Sequence, residues 1–248
     1  MKRYFIADLH LDGQDTPRAL KFREFLKRLA EEAQAVPVEL FVLGDLFEFW
    51  YEYRAQLFEL YRADLHALTA ASEAGVKIFL LFGNRDFAFG RYVQQRFAAT
   101  VLGDGEVVTL SDSRRAWLEH GDLLGTADRR YLRFRSCIRS WPVRLLFRLL
   151  PWACARKLID RLRKRAAAAK AAKPAEEMQI DLEAASKRAI EHRCQVLLCG
   201  HFHEKQAHDL GGGGRLIVLP AWCDAFEGMV DDERGFRAFA LETADERR

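Results

Sequence analysis

Three nearly continuous apolar runs punctuate the first third of the chain: Tyr4-Phe5-Ile6-Ala7, Leu40-Phe41-Val42-Leu43 and Ile78-Phe79-Leu80-Leu81-Phe82. A fourth, Val196-Leu197-Leu198-Cys199, comes much later. Short unbroken runs of this kind, rather than alternating ones, belong to strands buried on both faces. The pattern predicts strands at 3–8, 39–44, 77–82, 106–110, 115–119, 195–199, 205–210, 215–219 and 235–241. Helical periodicity predicts helices at about 17–34, 54–74, 90–97, 129–140, 142–150, 152–170 and 180–192. Gly211–Gly214 reads as a hairpin turn between two strands. Strands alternate with helices early and pair late, which predicts a mixed α/β sandwich.

Polar residues suited to metal binding stand at or just beyond the predicted strand ends. They are Asp8 and His10, Asp45 after Gly44, Asn84 after Gly83, His120 before Gly121, and His201 and His203 after Gly200. One Asp-x-His or His-x-His alone is usually a capping or surface pair. Five such stretches, most of them behind an apolar run, point instead to one rim where strand ends gather their ligands. The set offers nitrogen and oxygen only, which suits hard or borderline divalent ions. Seven ligands suffice for two ions with Asp45 as the bridge. Asp8, His10 and His203 would complete one, and Asn84, His120 and His201 the other. Such a pair clamps the attacking and leaving oxygens of a phosphoryl displacement and supplies hydroxide at neutral pH. No serine or cysteine nucleophile is then needed. His66 and His192 fall in polar helical stretches and are read as surface residues.

The motifs D-x-H, G-D, G-N-x-[DE], H-G and G-H-x-H are all present, and in this order the chain resembles the calcineurin-like metallophosphoesterases. Within them it is most similar to the UDP-2,3-diacylglucosamine diphosphatases of lipid A biosynthesis. That narrower resemblance rests on Phe5-Ile6-Ala7-Asp8-Leu9-His10-Leu11, Gly44-Asp45-Leu46-Phe47-Glu48-Phe49-Trp50 and Gly83-Asn84-Arg85-Asp86-Phe87. It extends through His120-Gly121-Asp122 to Gly200-His201-Phe202-His203 and His208, nearly the whole chain. The resemblance implies a two-sheet sandwich flanked by helices and two divalent ions, manganese foremost. It also implies hydrolysis of a lipid-linked sugar nucleotide to UMP and a lipid phosphate. Two stretches depart from the family pattern. Leu123–Asp128 keeps only part of T-L-C-T-D-D, and Glu204-Lys205 replaces R-P. Lys170 or Lys173 is the nearest counterpart of the family's substrate-touching Ser-Lys pair.

Arg85 narrows the leaving group. Many phosphoesterases of this superfamily carry histidine there, placed to protonate an alkoxide. Guanidinium stays charged and cannot donate that proton. A phosphomonoester leaves without one, because its second pKa is about 6. Arg85 therefore favours a diphosphate substrate. The bland alternative is a structural ion pair with Asp86 or Asp122.

Charge is uneven. Residues 129–173 carry fifteen Lys and Arg against Asp160 alone, a local +14, so the rest of this +3 chain holds −11. Trp141, Leu145, Leu146, Phe147, Leu149, Leu150 and Trp152 lie in the same block. A solvated helical hairpin, a nucleic-acid binder and a lipid-holding cap all fit a basic block. The dense aliphatic and tryptophan content favours the lipid cap, because bulky apolar groups do nothing for phosphate-backbone binding. Residues 129–173 are thus read as an amphipathic helical cap inserted in a core of 1–128 and 174–248. Acyl chains are expected among Trp141, Leu146, Phe147 and Leu150. The expected substrate contacts are Asn84, Arg85, Asp122, Tyr131, Arg135, Lys173 and His201, with Asp45, Asn84 and Arg85 taking part in catalysis.

The five cysteines form no C-x-x-C and fit reduced thiols in the cytoplasm. No apolar stretch reaches eighteen residues and no leader is expected. The expectation is a monomeric hydrolase, peripheral on the cytoplasmic face of an inner membrane, with no nucleic-acid partner. The rival readings are a phosphodiesterase or phosphatase of soluble nucleotides and a non-catalytic lipid-binding relative.

Overall fold

The computed structural model describes residues 1–52, 55–125, 129–161 and 179–241. Two sheets lie between helical layers. The first runs β11-β10-β1-β2-β3-β4, with β1 (Lys2–Ile6), β2 (Val38–Val42), β3 (Lys77–Leu81) and β4 (Thr100–Gly103) parallel. Antiparallel β10 (Glu227–Asp232) and β11 (Gly235–Ala240) close its other side. The second runs β5-β6-β7-β9-β8, from β5 (Gly105–Thr109), β6 (Arg115–Glu119), β7 (Val196–Cys199), β8 (Gln206–Gly211) and β9 (Gly214–Val218). There β6, β7 and β9 are parallel.

Period-two alternation sorts each apolar run between two cores. Tyr4 and Ile6 of β1, with Leu40 and Val42 of β2, face the helices. Phe5, Ala7, Phe41 and Leu43 face the second sheet and meet Leu118 of β6 and Val196 and Leu198 of β7. Leu197 and Cys199 point the other way, toward Ala185. The unbroken runs are therefore strands covered on both faces.

Helix α1 (Pro17–Glu32) starts with proline at its first position, where no N–H is needed, and buries Ala19, Phe22, Phe25, Leu26 and Leu29 at helical spacing. It packs on α3 (Arg62–Glu73), which follows α2 (Ala55–Leu60). The single helix expected over 54–74 is broken at Tyr61, whose ring lies 4.6 Å from Phe47 and whose hydroxyl donates to Phe49 O (3.0 Å). After α4 (Arg91–Phe97), the basic block forms α5 (Arg129–Arg139), α6 (Trp141–Leu149) and α7 (152–161). Helices α8 (Leu182–Glu191) and α9 (Trp222–Ala225) complete the order.

The block leaves and re-enters the core at one neck, where Gly125 bridges Ile180 and Asp181 N donates to Leu124 O (2.8 Å). Phe147 is buried 5.0 Å from the Tyr51 ring, and Leu150 packs on the same core. Two of the four residues expected to hold acyl chains are therefore structural. Outward from the core, Trp141, Leu145, Leu146 and Leu149 are exposed along one side of α6. No described helix is long and apolar enough to cross a membrane.

Candidate metal centre

The loops that follow β1, β2, β3, β6 and β7 open at the same end of the two sheets, because those strands run parallel within each sheet. Close approach there demands glycine. A Cβ on Gly44 would stand 2.6 Å from His120 Nδ1, and one on Gly200 would stand 2.5 Å from Asp8 Oδ2.

All seven expected ligands arrive at this rim. His10 Nε2 and His203 Nε2 face each other at 3.3 Å, with Asp8 Oδ1 4.0 Å from the first and 3.8 Å from the second. His120 Nε2 and His201 Nδ1 are likewise 3.3 Å apart, and Asn84 Nδ2 is 3.4 Å from the same His201 atom. Asp45 Oδ2 lies between the groups, 3.8 Å from both His10 Nδ1 and His120 Nε2. Two clusters joined by one carboxylate are what the sequence predicts.

The surroundings suit divalent cations. Asp8 and Asp45 are buried with His10 and His120, where carboxylates are costly without a cation. Among the described residues, Asn84 Oδ1 and His10 Nδ1 are buried and find no hydrogen-bond partner. Burial and Arg85 push His10 down to about 2, which keeps its imidazole neutral and able to ligate. For His120, burial opposes the proton but Asp45, Asp8 and Asp122 win, raising it to about 9. A dication answers the same negative field. His120 Nδ1 also donates to Leu43 O (2.9 Å), which turns Nε2 toward the site.

Backbone strain is concentrated here too. Asp8, His10, Asp45, His201 and His203 all have left-handed φ, between +48° and +73°. Each such residue costs on the order of 1–3 kcal/mol and persists only where its surroundings over-determine it. One restraint is Asp8 Oδ2, which accepts His201 N–H at 2.7 Å and so ties β1 to the loop after β7.

Arg85 does not pair with Asp86 or Asp122. Its Nη1 donates to Glu48, and its Nε is 3.6 Å from Asp45 Oδ2. Glu48 Oε2 is also 3.5 Å from His10 Nδ1, so this carboxylate lies between an expected ligand and the guanidinium it binds. Nothing in the linear pattern marks that role, although Glu48 sits three residues past Asp45 in the Gly-Asp motif. Asp86 is occupied otherwise. Its Oδ1 accepts Asp45 N–H and Gly83 N–H and its Oδ2 accepts Phe47 N–H, each at 3.1 Å. Burial, with Asp45 nearby, raises Asp86 to about 7. Asp86→Asn leaves one of these N–H groups facing an amide nitrogen, which costs about 1–3 kcal/mol. The urea midpoint should drop while the m-value stays constant; an unchanged midpoint would show that Asp86 does not hold the two loops.

The expected substrate contacts are placed unequally. Tyr131 Oη (2.6 Å) and Arg135 Nε (2.7 Å) both donate to Asp122 Oδ2, joining α5 to the metal loop. Burial acts to raise Asp122, but His120, Arg135 and Tyr131 hold it at about 2. Arg135 also reaches Asp104, as does Arg139, which spans to Gly83 O (3.0 Å) and lies over Phe87. Lys173 falls outside the described residues. His208 bonds Gln206 Oε1 (2.9 Å) on β8, and His192 stacks on Trp117.

Known proteins bear on what this centre does. The UDP-2,3-diacylglucosamine hydrolase of Stutzerimonas stutzeri (strain A1501) is 34% identical over 241 residues, covering 95% of this chain and 98% of that protein. The protein of the same name from Aeromonas hydrophila subsp. hydrophila is 34% identical over 225 residues, 90% of this chain and 91% of that one. The chain belongs to the UDP-2,3-diacylglucosamine hydrolase family. No family model matches it. A dimetal phosphatase from Danio rerio overlays loosely, with TM-score 0.48 and 11% identity over 98% of this chain and 99% of that one. The buried N/O clusters at this rim suit divalent metal ions as cofactors.

Proposed function

We propose that this hydrolase cleaves the diphosphate of UDP-2,3-diacylglucosamine, or a close lipid-linked sugar nucleotide, to UMP and a lipid phosphate. What supports it most is the convergence of seven N/O ligands on one rim in a chain 34% identical to a hydrolase of that name. We assign Asp8, His10 and His203 to one ion, Asn84, His120 and His201 to the other, and Asp45 to both, with manganese as the metal. When bound, such a pair supplies Lewis acidity to the scissile phosphoryl group and lowers the pKa of a nearby water.

The protein's own groups do the rest. Arg85, aimed by Glu48, provides fixed positive charge for the reacting phosphates. Asn84 and His201 flank the same phosphoryl oxygens. Asp122 anchors Tyr131 and Arg135 of α5 beside the site, with Lys173 as a further contact. Manganese-dependent release of UMP from UDP-2,3-diacylglucosamine tests this directly. Faster turnover of a generic phosphodiester would move the assignment to a soluble-nucleotide phosphodiesterase.

The block 129–173 is on this reading a cap that holds acyl chains and rests on anionic lipid at the cytoplasmic face of the inner membrane, in a monomeric protein. Its support is the exposed row Trp141, Leu145, Leu146 and Leu149, set among arginines. Each buried methylene contributes about 0.8 kcal/mol. Four of them lower the apparent KM more than about a hundredfold relative to a deacylated analogue. Changing Leu146 and Leu149 to serine should erase that preference and spare a small phosphodiester. Equal rates with acylated and deacylated substrate in the unaltered protein would refute the lipid cap.

A further inference from the structure

The ring of His203 has two nitrogens and two sets of neighbours. Its Nε2 faces His10 and Asp8 inside the metal centre. Its Nδ1 faces away, 3.7 Å from Asp224 Oδ2. The ligand atoms of His203, Cys223 and Asp224 all lie within 4.8 Å of one another. Cys223 and Asp224 belong to α9, and Cys223 N–H donates to Asp8 O (3.2 Å), so the chain that presents Asp8 also presents the thiol. The two donor sets differ in kind. The metal centre offers nitrogen and oxygen only, whereas this outer triangle adds sulfur, which selects zinc over manganese or magnesium.

We propose that His203, Cys223 and Asp224 form a separate inhibitory site for zinc. One nitrogen, one sulfur and one oxygen with a fourth position left to water match the ligands and number that zinc takes. Asp224 is 67% exposed, which gives the ion a way in. Coordination releases the thiol proton to solvent, and thiolate and carboxylate together balance the two charges of the ion.

Inhibition follows from the imidazole. A neutral ring has one nitrogen able to ligate, while the other carries hydrogen. Zinc at Nδ1 leaves the hydrogen on Nε2, and the ring is lost to the ion shared with Asp8 and His10. The two sites compete for one histidine. This competition rests on the assignment of His203 to the catalytic pair; the zinc site itself rests on the three side chains alone.

Cobalt(II) reports thiolate ligation without any assay of activity. Added to the manganese-loaded full chain, it should give a sulfur-to-cobalt charge-transfer band that Cys223→Ala lacks. With UDP-2,3-diacylglucosamine as substrate, zinc should inhibit competitively with manganese. The half-inhibiting concentration should rise at least about tenfold in Cys223→Ala, the least that loss of a direct ligand should cost. Its zinc-free rate should stay unchanged. Bands of equal strength in the two proteins, or equal zinc sensitivity, overturn the site. A protein that shows the Cys223-dependent band but leaves the substrate uncleaved overturns the proposed function alone.

Discussion

Asp45→Asn should lower turnover by on the order of a thousandfold and reduce metal content at both positions. Asp45 Oδ2 stands equally distant, at 3.8 Å, from His10 Nδ1 and His120 Nε2, between the two clusters. Its Oδ1 already accepts Arg85 N–H at 2.9 Å, so asparagine keeps that bond and turns its NH2 toward the ions. An amide nitrogen cannot ligate, and the buried negative charge that offsets two dications is gone. On the proposed assignment, several kcal/mol of transition-state stabilisation would rest on the two metal ions, and about 4 kcal/mol corresponds to a thousandfold in rate. Metal analysis of the purified variant should find less than one ion per chain. Two ions per chain with a near-normal rate would exclude Asp45 as the bridge.

The local conservatism of that change matters, because the Asp45 loop is already strained. Its φ of +51° is held by Asp86 accepting Asp45 N–H and by the neighbouring Gly44. None of this is visible in a linear pattern. Apolar runs reported β1, β2, β3 and β7, because strands covered on both faces need apolar residues at every position. They did not report β10, whose Glu227-Gly228-Met229-Val230-Asp231-Asp232 ends in two acids that nonetheless lie inside. Asp231 is satisfied by Ser111 N–H (3.0 Å) and Arg3, and Asp232 by Arg234 N–H (2.9 Å) and Arg237, partners distant enough or local enough to escape periodicity. The short β4 was missed because Gly103 interrupts its three preceding residues, and α9 because a single turn has no period to detect.

The site was more legible than the fold around it. Strand-end position and donor chemistry picked out seven side chains that the structure gathers at one rim, since coordination chemistry constrains residue type strongly. The supporting residues were less so. Glu48 is three positions past Asp45 and looks like any surface acid, but the loop after β2 folds it back onto His10 and Arg85. The basic block misled in a different way. Trp141, Leu146, Phe147 and Leu150 share one apolar vocabulary, yet α6 is apolar on two sides: Phe147 and Leu150 turn to Tyr51 and the core, and Trp141 and Leu146 to the outside. Composition cannot divide a helix whose both faces are greasy.

Replacing Arg85 by alanine should cut turnover of the diphosphate by about a hundred- to a thousandfold, the usual cost of removing one preorganised electrostatic donor from the reacting group. Its guanidinium is partly exposed, held on one side by Glu48 and within 3.6 Å of Asp45 on the other, so it is positioned before substrate arrives. Phosphoryl transfer depends almost wholly on such placement. The leaving group decides what can replace it. Release of a phosphomonoester needs charge but no proton, because its second pKa is about 6, whereas an alkoxide needs an acid. Arg85→His should therefore recover little of the diphosphate rate and help an alkyl phosphodiester relatively more. Arg85→Lys, which keeps charge but cannot reach Glu48 and Asp45 through two separate nitrogens, should fall between arginine and alanine. The measurement is kcat for both substrates across the three variants at fixed manganese. Equal responses of the two substrates would mean that Arg85 serves only to neutralise Glu48 and Asp45, and the leaving-group argument would fall with it.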